Sequence, residues 1–521
     1  AERFIRLAIE LLGPDPWASP RWAFDLFVEL HLVLYSRPDY AAADAVYAEL
    51  AARATDPAAL VAPTRVQMIA LSNRTRYADA LMLGGELLAS LGIEVPFDDL
   101  VPAVESELAR LDGHLRSGGL EQLTDEAPWS GAHEPTAALM NRMIPVAFFT
   151  QPLVAFWLSL RSANDWFDSG FLDDRLYPTA CATLATIGMR GDYRAGHAIA
   201  QRALEVATAS ASASPTELAR THHVVGLFNA HWAHPLADDL FHARLAFDEL
   251  SRAGEFEFAC FSFFTSQAAV LDTCEHLDEL RAEVDAAEAF ADQLGNLHAQ
   301  QSFVSYRQLL RALLGETATP GSFDDATFDE ADHERAVAAN PMAATFFHVH
   351  RALAAAVFDD PLRLARHADA AAELRPYITG FYPEALIVVL HSLALLARLR
   401  DGGDGGEAEH RRRLDEHRAW LAARAVEAPI NFGHLHLLVD AETLEIDGRH
   451  ADATARFAEA AELAAARRRP WHHAVTAERA GRFHLRRGDH DAARTWLATA
   501  ADAYRRWAAT APAAALDAEL S

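Results

Sequence analysis

Five side chains able to hold a metal or move a proton crowd one stretch of the sequence: His231, His234, Asp238, Asp239 and His242. Histidines at i and i+3 can share a metal ion, and the carboxylates lie about one turn further on. Pro235 falls between the ligands, however, and breaks the helix that would align them. No Glu stands where a metalloprotease helix needs one. The expected structure is a hairpin turn with polar side chains and helix-capping aspartates, without metal. The other histidine pairs are no stronger. His434 and His436, like His348 and His350, are two apart and point to different faces of a helix. His472-His473 follows Pro470 at a helix start, where capping or exposure to solvent is expected. Six acids between Ser322 and Glu334 lack the central glycine of a calcium loop and read as a solvated linker.

Nucleophilic and phosphoryl-transfer chemistry also lack their parts. The chain contains no lysine, which excludes a P-loop lysine, a kinase phosphate-binding lysine and a Schiff base. No Gly-x-Ser-x-Gly elbow occurs, and no Gly-x-Gly-x-x-Gly follows a strand. Cys181, Cys260 and Cys274 match no zinc or redox spacing, so reduced, buried thiols are expected. The reading is therefore no catalytic residue, no metal and no cofactor. Of the two basic runs, Arg411–Arg413 is neutralised by neighbouring acids. Arg467–Arg469 reads as a solvated helix face that an anion or partner could meet.

Aromatic residues interleaved with polar ones offer the better lead, for binding rather than catalysis. Trp157, Asn164, Asp165 and Trp166 form one group, and Phe228, His231, Trp232 and Asp239 a second. Rigid aromatics bury much area at low entropic cost and anchor ligands or peptides. Two readings stay open: these residues line a concave binding surface, or they form the core between repeats.

The elements that must position them are helical hairpins. In Asn431–Trp507, Leu437, Ala441 and Leu444 share a helix face before Gly448, and Ala453, Phe457 and Ala460 share one after it. Ala477, Gly481 and His484 precede Gly488, and Ala493, Leu497 and Ala500 follow it. The two glycines stand 40 residues apart. Gly-x-x-x-x-Ala-x-x-x-large-x-x-Ala is the second half of the tetratricopeptide signature. Glycine permits the turn, small Ala lets helices approach, and the large residue fills the groove between them. The same half-signature recurs after Tyr40, Tyr77 and Tyr193, and further turns are expected at Leu236, Leu277 and Leu362. The predicted fold is all-α: a tetratricopeptide-like α-solenoid, a superhelix of antiparallel hairpins with a period of about 40 residues and roughly eleven to thirteen hairpins. A length of 521 residues exceeds a single core and fits a stack.

Loops are expected at Ser117–Glu134, Thr208–Pro215 and Asp401–Gly406. The first divides an N-terminal lobe, 1–125, from a continuous superhelix, 126–521. Met143–Leu160 is uncharged for eighteen positions, but Pro145 and Pro152 argue for two buried helices rather than a membrane span. A net charge of −28 repels nucleic acid and anionic membranes. The sequence opens at Ala1 inside an amphipathic pattern, which reads as a cytoplasmic chain, processed or cut from something longer.

The chain resembles the long helical-repeat region of large multidomain bacterial signalling ATPases, in which kinase-like and AAA-type ATPase domains precede the repeats and a sensor histidine kinase or other output follows. The resemblance spans essentially the whole chain. It rests on Glu29-Leu30-His31-Leu32 with Asp39-Tyr40-Ala41, on Leu87–Pro96, on Leu158-Ser159-Leu160-Arg161 with Asn164, on Gly191-Asp192-Tyr193, on His231-Trp232 with Pro235, and on Asn431-Phe432-x-His434 running to Tyr504-x-x-Trp507. Where a closing Trp-Gly is expected, this sequence has Trp507-Ala508. The resemblance implies a non-enzymatic sensing or coupling arm whose partners are neighbouring ATPase or kinase domains, another protein chain, or a small-molecule signal. A freestanding protein-binding adaptor is the alternative, and an enzyme built on a helical toroid a third.

Overall fold

The computed structural model describes residues 1–37, 39–125, 134–402 and 406–521. Pro38 of the expected turn, residues 126–133 of the expected boundary segment Ser117–Glu134, and residues 403–405 of the Asp401–Gly406 loop lie outside them. The described residues form 25 α-helices with short 3-10 turns and no β-strand. The chain is thus all-α, and each helix packs chiefly on its neighbours in sequence, consistent with an α-solenoid. Second helices of hairpins begin at Tyr40, Tyr77, Tyr193, Leu236, Leu277, Pro361, His450 and His490, where the turn signals put them to within one residue. Gly448 and Gly488 take φ of +73° and +74°, a region that costs a side chain but not glycine.

Contacts between helices group the described residues into two compact units. One comprises Ala1–Arg190 with Ala198–Thr221, the other Gly191–His197 with His222–Ser521. In the first unit, the uncharged run Met143–Leu160 is split between Glu134–Thr150 and Pro152–Ser169, which meet at Gln151. Proline at the first helical position starts a new helix without losing a hydrogen bond. Among the described residues no helix is long and apolar enough to cross a membrane.

The second unit alternates two kinds of helix. The inner ones are buried along most of their length: Phe256–Thr273, Leu297–Leu314, Pro341–Val357, Pro383–Asp401, Pro429–Ile446 and Pro470–Arg486. The most apolar of them is apolar or small around its whole circumference, as in Phe258–Leu271. The outer helices bury only a stripe, as His450–Ala466 does with Ala453, Phe457, Ala460, Ala461 and Ala464. Consecutive inner helices touch one another, and two contacts span far more of the chain. The Phe256 helix meets the Pro470 helix, and the Leu297 helix meets Thr510–Leu520. Trp507 donates its indole N–H to the Cys274 sulfur at 3.4 Å, and the Thr510 hydroxyl donates to the Leu314 carbonyl at 2.9 Å. Within this unit, hairpins about two hundred residues apart are therefore joined along a seam.

Candidate functional site

The seam is held by one carboxylate. Asp272 is the only acid in the apolar run Phe258–Thr273 and is 1% exposed. It accepts hydrogen bonds from the Tyr382 hydroxyl at 2.6 Å, Arg469 Nη1 at 2.9 Å, Trp471 Nε1 at 3.1 Å and His472 Nε2 at 2.5 Å. These partners come from the starts of the Pro383 and Pro470 helices, so three inner helices share one buried charge. Burial alone would raise this carboxyl. The charges of His472 and Arg469, with hydrogen bonds from His472 and Tyr382, hold it well below the usual carboxylate range. Burial also lowers His472, against the opposing charge and hydrogen bond of Asp272.

The network continues outward. Arg469 Nη2 donates to Asn431 Oδ1 at 2.7 Å, and Asn431 Nδ2 donates to the carbonyls of His231 at 2.8 Å and His234 at 2.6 Å. The His231 Nδ1 lies 2.8 Å from the Asp239 carboxylate, and its Nε2 lies 3.1 Å from the Gly380 carbonyl. Burial raises Asp239, against the opposing effect of His231. Trp232 Nε1 donates to the carbonyls of Phe228 and Gly380 at 3.0 and 3.2 Å, while its ring stacks on Phe432 at 5.3 Å and meets Tyr193 at 4.5 Å. His434, 2% exposed, lies edge-on to His472 at 4.5 Å, and neither of its ring nitrogens has a hydrogen-bond partner among the described residues.

The aromatic and polar residues singled out from the sequence are thus mostly interior. Phe228, His231, Trp232 and Asp239 belong to this network in the second unit and are 0–6% exposed. Trp157, Asn164 and Trp166 are buried in the first unit, where Asn164 Nδ2 donates to the Glu107 carboxylate at 2.7 Å and Trp166 Nε1 to the Thr124 carbonyl at 3.2 Å. Asp165 is half-buried and paired with Arg161 at 2.9 Å. The two groups therefore sit in different units. His231 and Asp239 pair with each other, and no group of three or more metal-ligating side chains forms among the described residues. The three cysteines are free and buried, and burial pushes Cys274 up to about 12.

Two readings need correction. His472 neither caps a helix in solvent nor lies exposed. Arg469 separates from the exposed Arg467 and Arg468, because the chain turns inward at the Pro470 helix start. Asp272 and Tyr382 were not singled out at all. The available signal was an acid inside an otherwise apolar helix, since a buried carboxylate demands charged partners. Chemically the cluster is a clasp: its donors are spent on a carboxylate that solvent does not reach.

Two concavities in the second unit are open to small molecules. One, of about 350 Å³, has a floor of Phe247, Phe263 and Phe290. The other, of about 320 Å³, is walled by charged side chains from the ends of several inner helices. No protein-family model matches the chain, and no curated protein matches it in sequence.

Proposed function

We propose that the chain is a tetratricopeptide-like sensing and coupling scaffold without catalytic activity of its own, the regulatory arm of a bacterial signalling ATPase or kinase. The observation that carries this reading is the clasped seam. An ordinary repeat stack transmits strain only between neighbours. A seam anchored by Asp272 ties distant hairpins of one unit together, so a ligand that favours the clasped or the opened state shifts the whole unit. Burial assigns the second aromatic group, Phe228, His231, Trp232 and Asp239, to the clasp's surroundings, and the signal would act on the equilibrium rather than on those residues directly. The hairpin periodicity and the resemblance in Asn431–Trp507 support the signalling context, and the net charge of −28 favours protein or small-molecule partners over nucleic acid.

The test begins with the reading frame around this segment. A fused ATPase or kinase domain is expected, and its turnover in the full-length protein should change when Asp272→Asn weakens the clasp. A start and a stop codon closing the frame at both ends would leave the adaptor reading. Unchanged turnover in a fused protein whose seam has opened would refute coupling.

A further inference from the structure

The 320 Å³ cavity lies among the C-terminal halves of the Pro341, Pro383, Pro429 and Pro470 helices and the N-terminus of Pro361–Leu374. Four guanidinium groups line it. Arg400 comes from the last turn of the Pro383 helix, and Arg479, Arg482 and Arg486 follow one another at i, i+3 and i+7 on one face of the Pro470 helix. Four carboxylates line it as well, those of Asp359, Asp360, Asp401 and Glu442. Glu442 is wholly buried and receives both Arg400 and Arg479. Asp359 pairs with Arg482 at 3.2 Å and takes a φ of +49°.

Two features decide what such a cavity can hold. The first is unused donors. Arg479 is only 12% exposed at its side chain and gives only its Nε–H to protein, to Glu442; its two terminal amino groups have no protein acceptor among the described residues. Burial, and then the nearby Arg479 guanidinium, lower Arg400 to about 10, although Glu442 and Glu445 both accept from it. The second is charge balance. An anion entering here would meet four carboxylates and the C-terminal halves of four helices, which repel it, against the single N-terminus of the Pro361–Leu374 helix, where the Asp360 side chain already accepts from the Arg363 N–H. A cation would meet four guanidiniums. A ligand without net charge meets neither penalty, and hydroxyl groups can accept from the Arg479 fork and donate to carboxylates at once. Ala355, Ala356 and Leu364 supply small apolar patches for C–H faces. The volume stands at the small end of ligand pockets.

We propose that this cavity binds a small neutral polyhydroxylated molecule, of the size of a mono- or disaccharide, oriented by the Arg479 guanidinium. The inference deepens the sensing reading by naming the class of signal. It rests on that reading only for its consequence, because binding to this chain is measured apart from any coupled ATPase.

The experiment is calorimetric titration of the full chain with glucose, ribose and maltose, and separately with phosphate and citrate. At least one saccharide should bind, with an affinity that changes less than about twofold between about 50 and about 500 mM salt, since a neutral ligand is not screened. Arg479→Gln should weaken it at least about tenfold, a loss of about 1.4 kcal/mol. Because Arg479 also holds Glu442, a second variant guards against a folding defect: Ala397→Leu fills the cavity from the Pro383 helix without touching an ion pair and should abolish binding with a native melting profile. Binding of phosphate or citrate instead, with steep salt dependence, would overturn the proposal. So would the absence of saccharide binding, or saccharide binding that survives Ala397→Leu.

Discussion

Replacing Asp272 by Asn tests the clasp most directly. The change keeps the shape of the side chain and removes its charge. In the native chain four donors converge on this carboxylate, and one of them, Arg469, is 3% exposed at its side chain. After the change the Arg469 charge has only neutral amide oxygens, of Asn431 and of the new side chain, as acceptors. The asparagine NH2 must also face one of the groups that had donated to the carboxylate. Adding four lost hydrogen bonds would overstate the cost, because they share one acceptor group. The relevant comparison is a buried ion pair broken on one side, which costs about 3–5 kcal/mol. With a urea slope of about 3 kcal/mol/M for a unit of this size, the midpoint should fall by about 1 M or more. Hydrogen exchange adds the diagnostic detail. Protection should drop together in Phe256–Thr273 and Pro470–Arg486, which are far apart in sequence, and stay unchanged in Leu100–Ser117 of the other unit. Arg412→Ala, which removes an exposed pair with Glu416, should be silent in the same assay. A midpoint shift smaller than about 0.3 M, or protection lost in only one of the two helices, would refute the idea that Asp272 ties the seam.

Trp232→Ala should cost about 3–5 kcal/mol, since the ring is 2% exposed and packed on Phe432 and Tyr193; a native melting temperature for this variant would contradict the interior assignment. Gly481→Ala should destabilise by about 1–3 kcal/mol in chemical denaturation, because the new methyl group would stand 2.7 Å from Leu497 Cγ on the facing helix. Ala508→Gly should raise stability by about 0.5–1 kcal/mol, as Ala508 holds a φ of +70° at the end of its helix. Burial lowers His223 and His298 to about 4 and His350 to about 3, from 6.5. An unfolded chain binds these protons first, so stability is full above about 6.5 and falls as pH drops toward 4. Glu217 and Glu478, raised by burial to about 7, act oppositely and lose stability as pH rises from 4.5 through 7. His350→Gln should therefore give a shallower fall in melting temperature from pH 6.5 to pH 4 than the parent, and an equal slope would count against burial of that ring in its neutral form.

Local signals in the sequence carried the hairpins, and distant pairings escaped them. Gly448 and Gly488 announce their turns because only a residue without Cβ takes that conformation freely, and Pro152 announces a helix start because its ring fixes φ. Ala508 shows the limit of that logic. It occupies a left-handed position where glycine was expected, so the geometry persisted although the residue did not. The aromatic groups were found, but their roles were left open between surface and core. A helix such as Phe256–Thr273, apolar all round, has no solvent face, and its neighbours lie inside with it. The clasp was out of reach for a different reason. Asp272 and His472 are two hundred residues apart, and no periodicity relates them. An isolated acid and a His-His pair after Pro470 carry no mutual signature until the inner helices bring them together.

The indole of Trp507 covering the Cys274 thiol gives the molecule a built-in reporter. While the seam is closed, Cys274 is 3% exposed, and with its proton held tightly it offers almost no thiolate to an alkylating reagent. Cys181 and Cys260 are equally covered, but they lie away from the seam contacts, Cys181 in the first unit and Cys260 about four turns back along the Phe256 helix. Opening at the end of that helix alone would make Cys274 reactive while the other two stay silent. The rate of its labelling under native conditions therefore reads the population of opened molecules, with no mutation and no attached dye. Any molecule that favours the clasped form would announce itself by slowing that single reaction.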